Sequence, residues 1–257
     1  MARVFITGSS DGLGLMAARL LIEEGHSVIA HARGGQRARE TRTALPGAKH
    51  VVTGDLSSIT QTRGVADQVN ALGDVDAVIY NAAVGPDERR RIETADGLSH
   101  VFEINVLAPY ILTALIARPR RVVYLTSGLH RGGDPALDDP QWEHHAWRGS
   151  QAYSDSKLYD LALTMAVARR WPEVLSNAVG PGWVPTKMGG AGAPDDLTQG
   201  YLTQAWLAVS DEPAALVSGC CFFHKQQQQF HPAARSPEVQ DALTGYCARL
   251  SGIPLPA

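Results

Sequence analysis

Short runs of apolar and β-branched residues alternate along this chain with longer stretches in which apolar positions recur every three or four residues. The short runs, at 3–7, 27–31, 49–53, 76–80, 120–126, 173–179 and about 216–223, have the length and composition of strands. The longer stretches, at 12–24, 36–44, 57–72, 97–117, 152–170, 195–209 and 236–250, predict helices. Within 152–170, for example, Leu158, Leu161, Ala162, Met165 and Ala166 recur at helical spacing. Such alternation predicts an α/β fold, a doubly wound parallel sheet of about seven strands with helices on both faces. The polar tract Gln226 to Gln229 reads as a solvated loop. A chain of 257 residues that is 44% apolar fits one domain over 1–257. Ligands in such folds collect beyond the carboxyl ends of the strands, where Thr7, Asp55, Asn81, Ser127 and Gly180 fall.

Two local patterns add chemistry to that frame. The first strand leads into Gly8-Ser9-Ser10-Asp11-Gly12-Leu13-Gly14 and then a helix. Strand, glycine-rich turn and helix in that order suit a dinucleotide, because glycines let the backbone approach a pyrophosphate at the positive end of the helix. The spacing is Gly-x-x-x-Gly-x-Gly. The second pattern is Tyr153-Ser154-Asp155-Ser156-Lys157. Positions four apart on a helix are surface neighbours, and an ammonium beside a phenol favours phenolate and lowers its pKa. Either pattern alone recurs by chance; a Tyr and a Lys four apart more often mark an exposed polar face.

With these and several further motifs in order, the chain resembles the short-chain dehydrogenase/reductase family, in its short single-domain branch, from about Arg3 to Thr186. Thr7, Gly8, Gly12 and Gly14 match the cofactor turn, with Ser10 and Leu13 inside it. Asp55-Leu56 match the adenine contact. Asn81-Ala82-Ala83 match an Asn-Ala-Gly element in which Ala83 replaces glycine. Asn105 matches the helix asparagine, Ser127 the serine at a strand end, and Pro181-Gly182 with Val184 and Thr186 the segment over the nicotinamide. The resemblance implies one Rossmann domain with a substrate loop at about 128–150 and a lid at about 183–200, where Gly189-Gly190-Ala191-Gly192-Ala193 supplies flexibility.

It also implies an oxidoreductase that transfers hydride between a nicotinamide and a carbonyl or alcohol carbon. Tyr153 is then the general acid and base, Lys157 holds the nicotinamide ribose and acidifies the phenol, and Ser127 orients the substrate oxygen. Asn105 ties helix backbone or water to Lys157. For the cofactor, an acid about twenty residues past the glycines would take the ribose hydroxyls of NAD. Beyond the second strand none occurs before Glu40, and the strand ends instead at Arg33, whose planar guanidinium suits a 2′-phosphate, with Arg37 in reach. NADP(H) is therefore favoured over NAD(H). Two other classes stay open: an epimerase or dehydratase of the same fold that retains its cofactor, and a non-catalytic nucleotide sensor. A serine hydrolase is disfavoured, since no Gly-x-Ser-x-Gly turn surrounds Ser127.

Twenty-five residues separate Ser127 from Tyr153, long for a loop and similar to retinol-dehydrogenase-like and plant carbonyl-reductase-like members. His130, Trp142, Trp147, Trp183 and Met188 are candidates to wall an apolar pocket for a small molecule; equally, the tryptophans can pin the loop to the domain. His144-His145 lack a third ligand, so no metal is expected. Cys220, Cys221 and Cys247 are read as buried small apolar residues. A net charge of −3 gives no reason to expect nucleic acid or an anionic membrane, and no apolar run approaches a membrane span. With the first strand starting at once, a signal peptide is not expected and the cytoplasm is the expected location. Pro119 shortens the helix after Asn105, so the expected assembly is a monomer or a weak homo-oligomer.

Overall fold

The computed structural model describes residues 1–257. Eight strands form one sheet in the order β3-β2-β1-β4-β5-β6-β7-β8. They are β1 (Arg3–Ile6), β2 (Ser27–Ala32), β3 (His50–Thr53), β4 (Ala77–Tyr80), β5 (Arg121–Leu125), β6 (Leu175–Val179), β7 (Cys220–Phe223) and β8 (Gln226–Gln228). All pairings are parallel except the last.

The strand alternation sorts side chains into two cores. Phe5, Ile29, Val78, Tyr80, Val122 and Tyr124 pack on one face, whereas Val4, Ile6, Val28, Ala30, Ile79 and Val123 pack on the other. Both faces are covered, so the strands read as continuous apolar runs rather than a half-polar pattern. Helices α1 (Gly12–Glu23), α2 (Gly35–Ala44) and α7 (Leu197–Val209) cover the second face. The first is covered by α3 (Ile59–Ala71), α5 (Ala108–Leu115), α6 (Gly149–Arg170) and α8 (Pro237–Ser251). Helix α6 is buried nearly all round, from Ala152 to Val167, and several of its polar residues lie inside the protein.

Three features differ from the sequence expectation. The glutamine tract is no loop: Gln226–Gln228 form β8, antiparallel to β7. A two-residue turn makes it, with His224 and Lys225 at φ 48° and 62°, the left-handed geometry that matches the twist of a hairpin. Its side chains are all exposed, so no apolar alternation announces it. Second, the helix expected at 97–117 is a compound of α4 (His100–Phe102), a π turn (Glu103–Leu107) and α5. The helix ends at Leu115 with Ile116 extended, and Pro119 bars its continuation. Third, α6 begins at Gly149, earlier than the patterned residues; a side chain there would meet the carbonyls of Glu88 and Pro86 at 2.3 and 2.9 Å. No helix is long and apolar enough to cross a membrane.

Candidate active site

The strand order reverses between β1 and β4, and the crevice above that point is where a doubly wound sheet takes its ligands. A cleft of about 400 Å³ opens there. The Thr7 hydroxyl accepts from the backbone N–H groups of Asn81 and Ala82, both at 3.0 Å, and so ties the end of β1 to the end of β4. Asn81 Nδ2 donates back to the carbonyls of Thr7 and Gly8, at 3.1 and 3.2 Å. At two of its glycines the turn leaves no room for a side chain. A Cβ on Gly14 would sit 2.3 Å from Asn81 Nδ2, and one on Gly8 would sit 2.9 Å from Ala82 Cα, with Gly8 at φ +62°. The start of α1 therefore faces the cleft with bare backbone, the geometry that receives an anion.

His31, at the end of the otherwise apolar β2, completes this corner. Its Nδ1 accepts from Gly8 N at 3.1 Å and its Nε2 lies 2.9 Å from Gly54 O, so the ring is neutral with its proton on Nε2. Burial holds its pKa below the ordinary histidine value. A lowered folded-state pKa means that the bridge stabilises above the unfolded value of about 6.5 and is lost as pH falls. Between about pH 7 and pH 5, the melting temperature of the wild type should fall more than that of His31→Asn. Equal slopes in a melting series would show that His31 does not couple the turn to pH.

Tyr153 and Lys157 line the same cleft as Gly8, Gly12 and Asn81. The Lys157 ammonium lies 5.8 Å from the centre of the Tyr153 ring. It donates to the Leu125 carbonyl at 2.8 Å and to Asp160 Oδ2 at 2.7 Å. Burial opposes its charge, but Asp160 and Tyr153 carry its pKa above the ordinary lysine value. Asn105 sits in the π turn, an irregularity common at functional sites. Its side chain accepts from Val84 N at 2.9 Å and donates to Val84 O and to Ser156 Oγ, which joins the loop after β4 to α6. Ser127 stands two residues beyond β5, and its Oγ accepts from Leu129 N at 3.3 Å, capping a short 3₁₀ helix.

Of the other expected cofactor contacts, Ser10, Leu13, Arg33, Asp55, Leu56, Ala82, Ala83, Pro181 and Thr186 all line the cleft. Arg33 is exposed, whereas Arg37 is bound to Glu40 and Asp11 at 2.7 and 3.3 Å. Gly182 and Val184 lie behind the lining, Gly182 against Asp195 and Val184 buried beside Gly200.

Met188 lines the cleft, packed on Gly85, but His130, Trp142, Trp147 and Trp183 do not. Trp147 Nε1 donates to Glu88 O at 2.7 Å and its ring meets Trp142 edge-on, so this pair pins the long loop to the segment after β4. Arg91 reinforces the same seam through Gln141 O at 2.7 Å. His130 is buried behind Ser127, with Nδ1 2.5 Å from its carbonyl. Trp183 is 60% exposed and donates to Gly189 O. Conversely, His31, Asp11, Thr126 and Lys187 line the cleft without having been expected there. A polar residue inside an apolar strand was a usable signal for His31. For Lys187, which pairs across the cleft with Asp11, no local pattern existed.

Residues 2–124 match the sequence profile of the short chain dehydrogenase family. Along its whole length the chain is 42% identical to an uncharacterized oxidoreductase of Emericella nidulans, covering 99% of it. It is 38% identical to the short-chain dehydrogenase chry4 of Gibberella zeae, with both covered completely. A crystal structure of a protein from Mycobacterium paratuberculosis superposes with a TM-score of 0.86 at 26% identity, over 100% of this chain and 96% of that one. A blue fluorescent protein from a metagenomic library, in complex with NADPH, superposes at 0.70 and 21% identity over 86% of this chain and 95% of that one. With fold, crevice and relatives in agreement, the chain belongs to the short-chain dehydrogenase/reductase family and is an oxidoreductase of that type.

Proposed function

We propose that the cleft binds NADP(H) and that the enzyme interconverts a ketone or aldehyde with an alcohol on a small, apolar substrate. The observation that carries this reading is that Tyr153 and Lys157 line the same cleft as the glycine turn. The turn fits a dinucleotide: Gly12, which lines the cleft, has open space where a Cβ would stand, room for a pyrophosphate against the start of α1. Thr7, Ser10, Gly12 and Leu13 would surround it, Asp55 and Leu56 the adenine, and Asn81 to Ala83, Pro181 and Thr186 the nicotinamide end. When bound, the nicotinamide supplies or removes the hydride at the substrate carbon.

The chain's own part is proton transfer and placement. The Tyr153 hydroxyl donates its proton to the carbonyl oxygen in reduction and accepts it in oxidation, the common role of a positioned side-chain acid. Lys157 keeps positive charge beside the phenol that exchanges the proton. Ser127 orients the substrate oxygen from the end of β5, and Asn105 holds α6 in register with the loop after β4. The loop at about 128–150 and the segment at about 183–200 frame the substrate end of the single domain, with Met188 as its apolar contact. Three free cysteines accord with a reducing, cytoplasmic setting.

A panel of aldehydes, ketones and alcohols, followed at the NADPH absorbance with both cofactors, tests the activity; a flat trace throughout would remove it. Arg33 makes no hydrogen bond within the protein and is free to meet a 2′-phosphate. Arg33→Ala should reduce the ratio of NADPH to NADH affinity by roughly tenfold or more, the scale of one charge-assisted contact. An unchanged ratio in a fluorescence titration would assign that selectivity to another residue.

A further inference from the structure

Beneath the cleft, Lys157 does not stand alone. Asp160 lies one turn further along α6, and its Oδ2 is 2.7 Å from Lys157 Nζ. Both side chains are 3% exposed. The other carboxylate oxygen, Oδ1, has no partner at all, so Asp160 is committed to this single contact. A half-satisfied buried ion pair is poor provision for stability, because desolvating two charges costs as much as or more than their attraction returns. Its effect must be sought in the charge and position of the ammonium.

We propose that Asp160 is a positioning residue for the carbonyl–alcohol reaction, clamping the Lys157 ammonium between its carboxylate and the Leu125 carbonyl and keeping it charged. The inference rests on the reading above, in which that ammonium serves Tyr153 and the cofactor. An ammonium has three donors. Two are fixed by Leu125 O and Asp160, which leaves the third for the cleft that Lys157 lines.

The surroundings supply no substitute for the carboxylate. On α6 the nearest titratable group is Tyr153. From β5 comes the Tyr124 hydroxyl, which is bonded to Thr113 of α5, and from β4 the Tyr80 hydroxyl, bonded to the same threonine. Burial pushes both phenols far above their usual range, so they are neutral. Asp160 is thus the one anion facing Lys157, and burial raises its own carboxyl while the lysine pulls it down. Without it, desolvation acts on Lys157 against Tyr153 alone and favours the neutral amine.

The chain has only four lysines, and Lys49, Lys187 and Lys225 are exposed. Labelled lysine Cε resonances can therefore report Lys157 directly, assigned by the signal missing from Lys157→Arg. In the wild type, Lys157 should remain an ammonium where the other three are half deprotonated. In Asp160→Asn it should titrate below them, a fall of at least about one pH unit. The alkaline limb of carbonyl reduction should move down in pH with it, while activity near pH 6 stays within roughly threefold of wild type, as expected where the lysine is still charged in both proteins. Asp160→Glu should restore much of the limb.

A wild-type Lys157 that titrates with or before the exposed lysines would overturn the proposal without needing any variant to fold. So would an Asp160→Asn enzyme whose activity is lower by the same factor at every pH, since that is what a merely structural role would produce. If instead the wild type reduces no carbonyl of the panel, the functional reading fails, and the lysine titration still decides what Asp160 does.

Discussion

Tyr153→Phe is expected to bind NADPH as tightly as the wild type while its turnover of any carbonyl falls to roughly a thousandth or less, the scale of a lost general acid. The phenyl ring keeps the volume of the side chain, which is 7% exposed and packed in the wall of the cleft. Only the hydroxyl is removed. The Lys157 clamp to Asp160 and Leu125 does not pass through that hydroxyl, so the floor of the cleft stays as it is. Loss of turnover with intact affinity would place Tyr153 in proton transfer. A variant that keeps a tenth of the wild-type rate would assign the proton to another donor, and one that no longer binds NADPH would mean that the tyrosine holds the cleft open. Fluorescence titration and single-turnover rates, measured on one preparation, separate these outcomes.

Gly14→Ala is expected to damage both stability and binding, although alanine is by propensity the better helix residue by about 1 kcal/mol. The added methyl would lie 2.3 Å from Asn81 Nδ2 and 2.6 Å from Gly8 O. Neither can withdraw freely, because Asn81 is held to the Thr7 and Gly8 carbonyls and Gly8 to His31. Overpacking of this kind costs about 1–3 kcal/mol, which exceeds the propensity gain and should lower the melting temperature by several degrees. Because the displaced atoms form the wall of the cleft, NADPH affinity should drop by about tenfold or more. Gly12→Ala is the matched control for stability. Gly12 has open space around its would-be Cβ, and its cost is the left-handed backbone at φ +53° alone. Should Gly14→Ala melt and bind like the wild type, the contact between α1 and the end of β4 is not the one described.

Local patterns sufficed wherever an element writes its environment into its own residues. Strands buried on both faces are short apolar runs, the glycine turn needs residues without side chains, and Tyr153 and Lys157 meet through the periodicity of one helix. These features lie close together in sequence, and their physics is local. The role of the tryptophans stayed open for the opposite reason. Trp142 and Trp147 are large enough to line a pocket or to staple a loop, and the choice depends on Glu88, some sixty positions away, whose backbone carbonyl accepts the Trp147 indole hydrogen bond. The glutamine strand was hidden because its side chains are exposed and its pairing is made by backbone through the His224-Lys225 turn. Asp160 was visible as an acid three residues after Lys157, yet a helix surface read from sequence does not show whether that pair is solvated or buried. Burial is what turns it from an ordinary exposed contact of small effect into a clamp on the ammonium.

By itself, then, the chain's order of apolar runs and glycines determined the doubly wound sheet, the crevice at its reversal and the helical pairing of phenol with amine, because each depends on periodicity or on the absence of a Cβ. Only the tertiary structure decided which charges face that crevice and which are sunk beneath it. Asp11 with Lys187, His31 under the glycine turn and Asp160 under Lys157 all owe their chemistry to neighbours or to desolvation that arises when distant elements close around them.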